Sequence, residues 1–394
     1  MSGVLASVMV ILGDSSRRDA FARRYLPALA TLPLAFLVLG VLPQVALATC
    51  AAPKNAIEAE NCLSGTPTSA WYLADVGSPN IQGFTTEISV NVGQTVFFKI
   101  KTDALAYRVD IYRLGYYQGY GARWVATVSP SAPLPQIQPA CLTDNSVRLT
   151  DCGNWAVSAS WAVPSTATSG VHFARLVRQD TGEVAPVVFV VRNDSSHSAL
   201  LFQTSDPTWQ AYNDYDRTPS LYGCGGIYDE GACRAYKVSY NRPFDTGTSN
   251  AYTWLFSEEY PMIRWLEANG YDVTYFTGVD TDSNGALIKQ HKVFMSVGHD
   301  EYWSGGQRAN VEAARDAAVN PVNLAFFSGN EIFEKTRWEP SIDGTNTPYR
   351  TLDTRNISLF NNGIYLIWNL SGHVKINVTL TAGGNAVISG AFFH

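Results

Sequence analysis

The chain has no Cys-x-x-Cys spacing and no Gly-x-Ser-x-Gly elbow. The first lack argues against a cysteine-built zinc site, and the second against a serine hydrolase of the nucleophile-elbow kind. Charge is scarce, with 16% Asp, Glu, Lys and Arg and a net charge of −6. Beyond the N-terminal arginines no basic stripe occurs, which excludes a general nucleic-acid binder. No thiol stands at a strand-to-helix elbow either, so a thiol-dependent amidotransferase-like enzyme is ruled out. What the chain has in quantity is aromatic surface, with 20 Tyr and 10 Trp.

The N-terminus reads as a targeting segment. Arg17, Arg18, Arg23 and Arg24 precede an apolar run from Tyr25 to Leu47, and Ala46-Leu47-Ala48 offers a small-residue cleavage site. The expectation is a signal peptide over 1–48, a mature start near Thr49, and a membrane role limited to export; an uncleaved anchor is the competing reading. Translation from Met9 would give a more usual signal peptide. The six Cys agree with export to a secreted, periplasmic or cell-surface location. They fall into three close pairs, Cys50 with Cys62, Cys141 with Cys152 and Cys224 with Cys233, as expected for disulfides.

From about Ile57 to Asn193 short alternating segments follow one another, such as Thr95 to Lys101, Tyr107 to Arg113 and Val187 to Arg192. This pattern predicts an immunoglobulin-like β-sandwich over 49–195, with no helix interrupting it. At Asn193-Asp194-Ser195-Ser196 the composition turns polar and the period changes. Strands at Leu200–Thr204, Asp272–Phe276, Val293–Val297 and Leu324–Phe327 alternate with helices at Glu258–Ala268, capped by Ser257, at Ala286–Gln290, and at Gln307–Ala318, capped by Ser304. Alternation of this kind predicts a mostly parallel sheet over 196–354, of the class I glutamine amidotransferase or flavodoxin-like type. Residues 355–394 return to β alternation and read as a partial β module or a truncated tail.

In such a sheet, sites gather past the carboxyl ends of the strands. The apolar run Val293–Val297 ends in Gly298-His299-Asp300-Glu301-Tyr302-Trp303. An imidazole and a carboxylate two residues apart point to the same rim. The other strands end at Asp206, at Asp280 and Asp282, and at Asn330-Glu331. Asp280 and Asp282 are expected to be polar simply because they meet water. Trp209 and Trp303 are expected to be core rather than pocket wall.

Four separated segments together carry a resemblance: Tyr112-Arg113-Leu114-Gly115-Tyr116-Tyr117, Trp209-Gln210-Ala211-Tyr212-Asn213, Ser220-Leu221-Tyr222 and Gly298–Trp303. They resemble the N,N-dimethylformamidase large (beta) subunit-like family. The resemblance implies a mononuclear Fe(III) held by two tyrosines and a glutamate, with a histidine nearby. Carried over, the metal ligands would be Tyr212, Tyr222 and Glu301. The choice of Tyr222 over Tyr215, Tyr236 or Tyr240 rests on the family's spacing. His299 would be the catalytic base, and Glu331 or Asn330 would bond the substrate or the ligands. The segment between Tyr212 and Tyr222 is shorter than in the enzyme, which touches the substrate pocket more than the metal.

Hard anionic oxygens suit a hard ferric ion, which could polarise an amide carbonyl and activate water. The expected function is therefore an exported amidohydrolase acting on a small amide. The alternative is a non-catalytic surface protein whose β modules bind a cell-surface glycan.

Overall fold

The computed structural model describes residues 50–73, 77–224, 227–228, 233–244 and 254–354, all within one compact unit. The expected signal peptide and the expected β tail lie outside these residues.

Two short helices come first, α1 (Ala56–Asn61) and α2 (Thr68–Trp71). Neither was expected. Asn55 caps α1 by accepting from Glu58 N, and Ile57 and Trp71 anchor the two helices in the core. At six and four residues they are too short to show a helical period.

The next strands are β1 (Ile81–Thr85), β2 (Ser89–Asn91), β3 (Thr95–Thr102), β4 (Tyr107–Leu114), β5 (Ala122–Val128), β6 (Leu142–Asp144), β7 (Leu149–Asp151), β8 (Ala159–Ala162), β9 (Gly170–Arg178) and β10 (Val184–Arg192). They form an antiparallel sheet in the order β1-β3-β8 and a larger sheet in the order β2-β10-β9-β4-β5, with a β6–β7 hairpin apart. In the larger sheet only the β2–β10 pair is parallel. Alternate residues of both sheets, including Ile81, Phe98, Ile100, Val109, Ile111, Leu176 and Phe189, enclose one apolar core.

Then follow β11 (Leu200–Gln203), α3 (Asp206–Tyr212), the short strands β12 (Gly223–Cys224), β13 (Ile227–Tyr228) and β14 (Lys237–Ser239), α4 (Glu259–Ala268), β15 (Val273–Phe276), α5 (Gly278–Ser283), β16 (Val293–Gly298), β17 (Tyr302–Ser304), α6 (Gly305–Arg315), β18 (Asn323–Ser328), β19 (Glu334–Glu339) and β20 (Thr351–Asp353). A wholly parallel sheet runs in the order β15-β11-β16-β18, as the alternating pattern predicts. A mixed sheet, β14-β20-β19-β17, stands beside it.

Local chemistry sets these boundaries. Ser304 caps α6 as expected and forms a capping box with Gln307, in a helix that runs over Gly305–Arg315 where Gln307–Ala318 is expected. Glu258, not Ser257, occupies the cap position of α4, which ends at Gly270 with φ +70°. Residues 285–290 form a 3₁₀ turn where a short helix is expected. Asp280 does not face water: it is 2% exposed, closes a capping box with Thr277 and pairs with Arg192 on β10. Trp209 and Trp303 are buried, as expected.

The larger β sheet also packs its other face against the α/β part. Tyr112, Leu114 and Phe173 share a cluster with Phe202, Ile263 and Tyr275. In the parallel sheet, the chain leaves β11 toward one side and returns to the other through β16. The gap between the carboxyl ends of β11 and β16 is therefore the switch point, where such sheets bind ligands.

Candidate functional site

β16 delivers His299, Asp300 and Glu301 at this switch point. The turn needs Gly298. Its φ is +102°, and an added Cβ would lie 3.0 Å from the Glu259 carboxyl carbon and 3.1 Å from Ser205 Oγ. Glu301 is fully buried, and its backbone N–H donates to Thr208 Oγ1 on α3 at 3.1 Å.

Two tyrosines from separate segments meet this carboxylate. Tyr212, the last residue of α3, donates its hydroxyl to Glu301 Oε2 at 3.1 Å. Tyr222 donates to Oε1 at 2.5 Å. Their rings stack with centroids 4.0 Å apart and planes 18° apart. The loop between them is pinned where Leu221 N donates to Ala211 O, and Ser220 Oγ accepts from Tyr222 N and Gly223 N. His299 Nε2 stands 3.3 Å from Glu301 Oε2, with its side chain 20% exposed.

The other tyrosines go elsewhere. Tyr215 donates to Gln82 and Tyr240 to buried Asp206, while Tyr236 is exposed. The structure thus brings together His299, Glu301, Tyr212 and Tyr222. It places Glu331 differently: both of its oxygens lie 3.2 Å from Ser296 Oγ, whose single proton goes to the nearer Asp300 at 2.7 Å. Asn330 is the neighbour near enough to Glu301 to hold its carboxyl down against burial. Asn330 has φ +49°, a conformation asparagine tolerates.

Burial sets the protonation of the cluster. It pushes the Glu301 carboxyl up to about 7, against the pull of the two tyrosine hydrogen bonds, and Glu334 nearby adds to the rise. Burial, followed by the Glu301 charge, pushes both phenols well above their ordinary value. Burial lowers His299.

A buried polar group that sequence reasoning left without a role lies behind this centre. Asp300 alternates away from His299 and Glu301 and accepts from Gln203 Nε2 at 2.5 Å and Ser296 Oγ at 2.7 Å. Glu259, at the start of α4, accepts from Ser205 N at 3.1 Å and Trp209 Nε1 at 2.9 Å. The alternation of side chains along an extended segment could have placed Asp300. Nothing in the sequence marks Glu259.

Residues 108–363, more than half of the chain, match the family described as N,N-dimethylformamidase beta subunit-like, C-terminal. The chain belongs to this family. The match begins inside β4, upstream of the parallel sheet, and takes in all four residues gathered at Glu301. No curated protein matches the chain. Among solved structures, domain 1 of VCBP3 from Branchiostoma floridae is 8% identical, with 30% of this chain and 98% of that chain covered, at a TM-score of 0.19. At that score the likeness bears on nothing here.

Among the described residues no group of three or more His, Cys, Asp and Glu side chains is set to hold a metal. The oxygens gathered at this point come from two phenols and one carboxylate of this N,N-dimethylformamidase-like chain. Two disulfides, Cys50–Cys62 and Cys141–Cys152, are formed, and Cys233 is also disulfide-bonded, while the side chain of Cys224 lies outside the described residues. Such bonds fit an extracellular or otherwise oxidising compartment. No helix among the described residues is long and apolar enough to cross a membrane.

Proposed function

We propose that the chain is an exported, iron-dependent amidohydrolase that cleaves the C–N bond of a small linear amide. The observation that carries this reading is the convergence of the Tyr212 and Tyr222 hydroxyls on the two oxygens of Glu301, with His299 beside them.

The donor set fits a ferric ion. Two phenols and a carboxylate are hard oxygen donors, and together they can carry three negative charges. Burial holds protons on both phenols at neutral pH and raises the Glu301 carboxyl to about 7. A trivalent cation would take the place of those protons and remove the repulsion that otherwise holds them on. Tyr212, Tyr222 and Glu301 would be its ligands. When bound, the ion would polarise the amide carbonyl and lower the pKa of a water.

His299 serves as the base. It is partly open to the rim, neutral because burial disfavours its charged form, and two residues from Glu301. It would take the proton from the attacking water at Nε2 and return it to the leaving nitrogen. Asn330, beside Glu301, would help to orient it by donating a hydrogen bond. Glu331, with Ser296 between it and Asp300, would support the rim from behind rather than touch the reacting atoms.

The framework is consistent with this. Two facing sheets sharing one core support an immunoglobulin-like β-sandwich over 49–195. A parallel sheet with its strands in the chain order 2-1-3-4 supports a flavodoxin-like arrangement over 196–354, as in class I glutamine amidotransferases. The disulfides support export.

The test is to purify the chain, measure its iron and visible absorption, and assay release of dimethylamine from N,N-dimethylformamide. Iron with amine release supports the reading. Iron-free protein that stays inactive after loading with ferric ion would count against it.

A further inference from the structure

A groove of about 420 Å³ opens at the opposite end of β17 from Glu301, beside the amino end of α6. Its size lies within the range of small-molecule sites, roughly 300–1,000 Å³. None of the four residues gathered at Glu301 lines it. Trp338 and Tyr349 form an aromatic wall, with ring centroids 6.0 Å apart, and Asp282, Arg337, Glu339 and Thr336 surround it.

The charges of the groove are already matched. The amino end of an eleven-residue helix attracts anions, but here Asp282 fills that place. Its carboxylate accepts from Ser304 Oγ and, at 3.3 Å, from the Tyr349 hydroxyl. It lies so close to Gly306 that a Cβ there would collide with it. Arg337 is held by Glu339 at 3.1 Å and Asp353 at 2.6 Å, and Lys237 pairs with the same two carboxylates. Arg337 and Lys237 are both paired, so an anionic ligand would find no free counter-charge among the described residues.

What is left is an aromatic face ringed by fixed polar groups, some of them short of partners. Thr336 is 1% exposed, and among the described residues neither its hydroxyl nor Trp338 Nε1 has a hydrogen-bond partner. Buried polar atoms rarely stay unmade, since each costs about 1–3 kcal/mol. Tyr349 is also held at φ +59°, a costly conformation for a bulky residue and one that gathers at ligand clamps.

The geometry points to a second binding site, for a neutral polyhydroxylated ring such as a saccharide unit. The sugar face stacks on Trp338, with the Tyr349 ring, inclined by 59°, against its edge. Its hydroxyls bond Asp282, Glu339 and Thr336. The site does not depend on the reading of Glu301 as a metal ligand.

The test titrates the full chain with cellotetraose, chitotetraose and maltotetraose, and with tetragalacturonate as the charged control, by calorimetry and tryptophan fluorescence. At least one neutral tetrasaccharide should bind with a Kd of about 1 mM or tighter. Tyr349→Gly should weaken that binding by roughly tenfold or more while the chain stays folded, because glycine accepts the positive φ at this position. Thr336→Val, nearly the same shape, should weaken binding as well. Absence of binding by every neutral sugar, preference for tetragalacturonate, or unchanged affinity in both variants would overturn the proposal.

Discussion

Arg113 holds Glu267 through two side-by-side contacts, Nη2–Oε1 at 2.9 Å and Nη1–Oε2 at 3.0 Å, with both side chains buried. Arg113 lies on β4 and Glu267 on α4, so the pair fastens the larger β sheet to the α/β part. Asn61 and Tyr275 also donate to Glu267, and Tyr117 accepts from Arg113. The Tyr-Arg-Leu-Gly-Tyr-Tyr segment is therefore a docking device. Gly115 belongs to it because an added Cβ would strike Glu267 Oε2. The family match, which starts at residue 108, takes in this segment.

Removing one partner leaves a buried charge alone. Arg113→Leu should cost roughly 3–5 kcal/mol of stability, read from the denaturant midpoint. A shift below about 1 kcal/mol would place the pair among weak surface bridges instead.

Glu259 should make stability fall as pH rises. Burial raises its carboxyl from 4.5 to about 7, against the hydrogen bonds from Ser205 and Trp209. Between these values the unfolded chain has lost the proton and the folded chain keeps it. Stability from this group is thus full below about 4.5 and declines through about 7. Glu259→Gln keeps the Oε1 acceptor and removes the titration. The gap in unfolding free energy between variant and wild type should move in the variant's favour by on the order of 3 kcal/mol from acid to neutral pH. A pH-independent gap would contradict this.

The disulfides should contribute through the unfolded chain. Cys50–Cys62 and Cys141–Cys152 span sequence separations of 12 and 11. Replacing either pair with serine should cost about 2–3 kcal/mol, measured by chemical denaturation.

His299→Ala should lower kcat by roughly 10²–10⁴ while iron content stays at the wild-type level. Loss of iron together with activity would make His299 a ligand rather than a base.

The parallel sheet was legible because its strands are short apolar runs and some of the helices between them have a recognisable start, as at Ser304. The His299–Glu301 rim was legible because it interrupts such a run with polar groups. Tyr222 was named only through the family resemblance. What carries it to Glu301 is a hydrogen bond from Leu221 N to Ala211 O, and backbone bonds of that kind leave no residue pattern. Asp280 was misread as a solvated strand end because its partner, Arg192, comes from the other β sheet and is 88 residues away. The start of α4 was missed by one position because Glu259 is buried by tertiary contacts, against its usual preference for water.

The most direct test of the account compares bound iron and visible absorption in wild type, Tyr212→Phe, Tyr222→Phe and Glu301→Ala. The account predicts an equimolar ferric ion and a phenolate charge-transfer band in the wild type. Each phenylalanine variant should have a weakened or shifted band, and Glu301→Ala should be folded but free of iron. Wild-type iron content and an unchanged band in all three variants would contradict it.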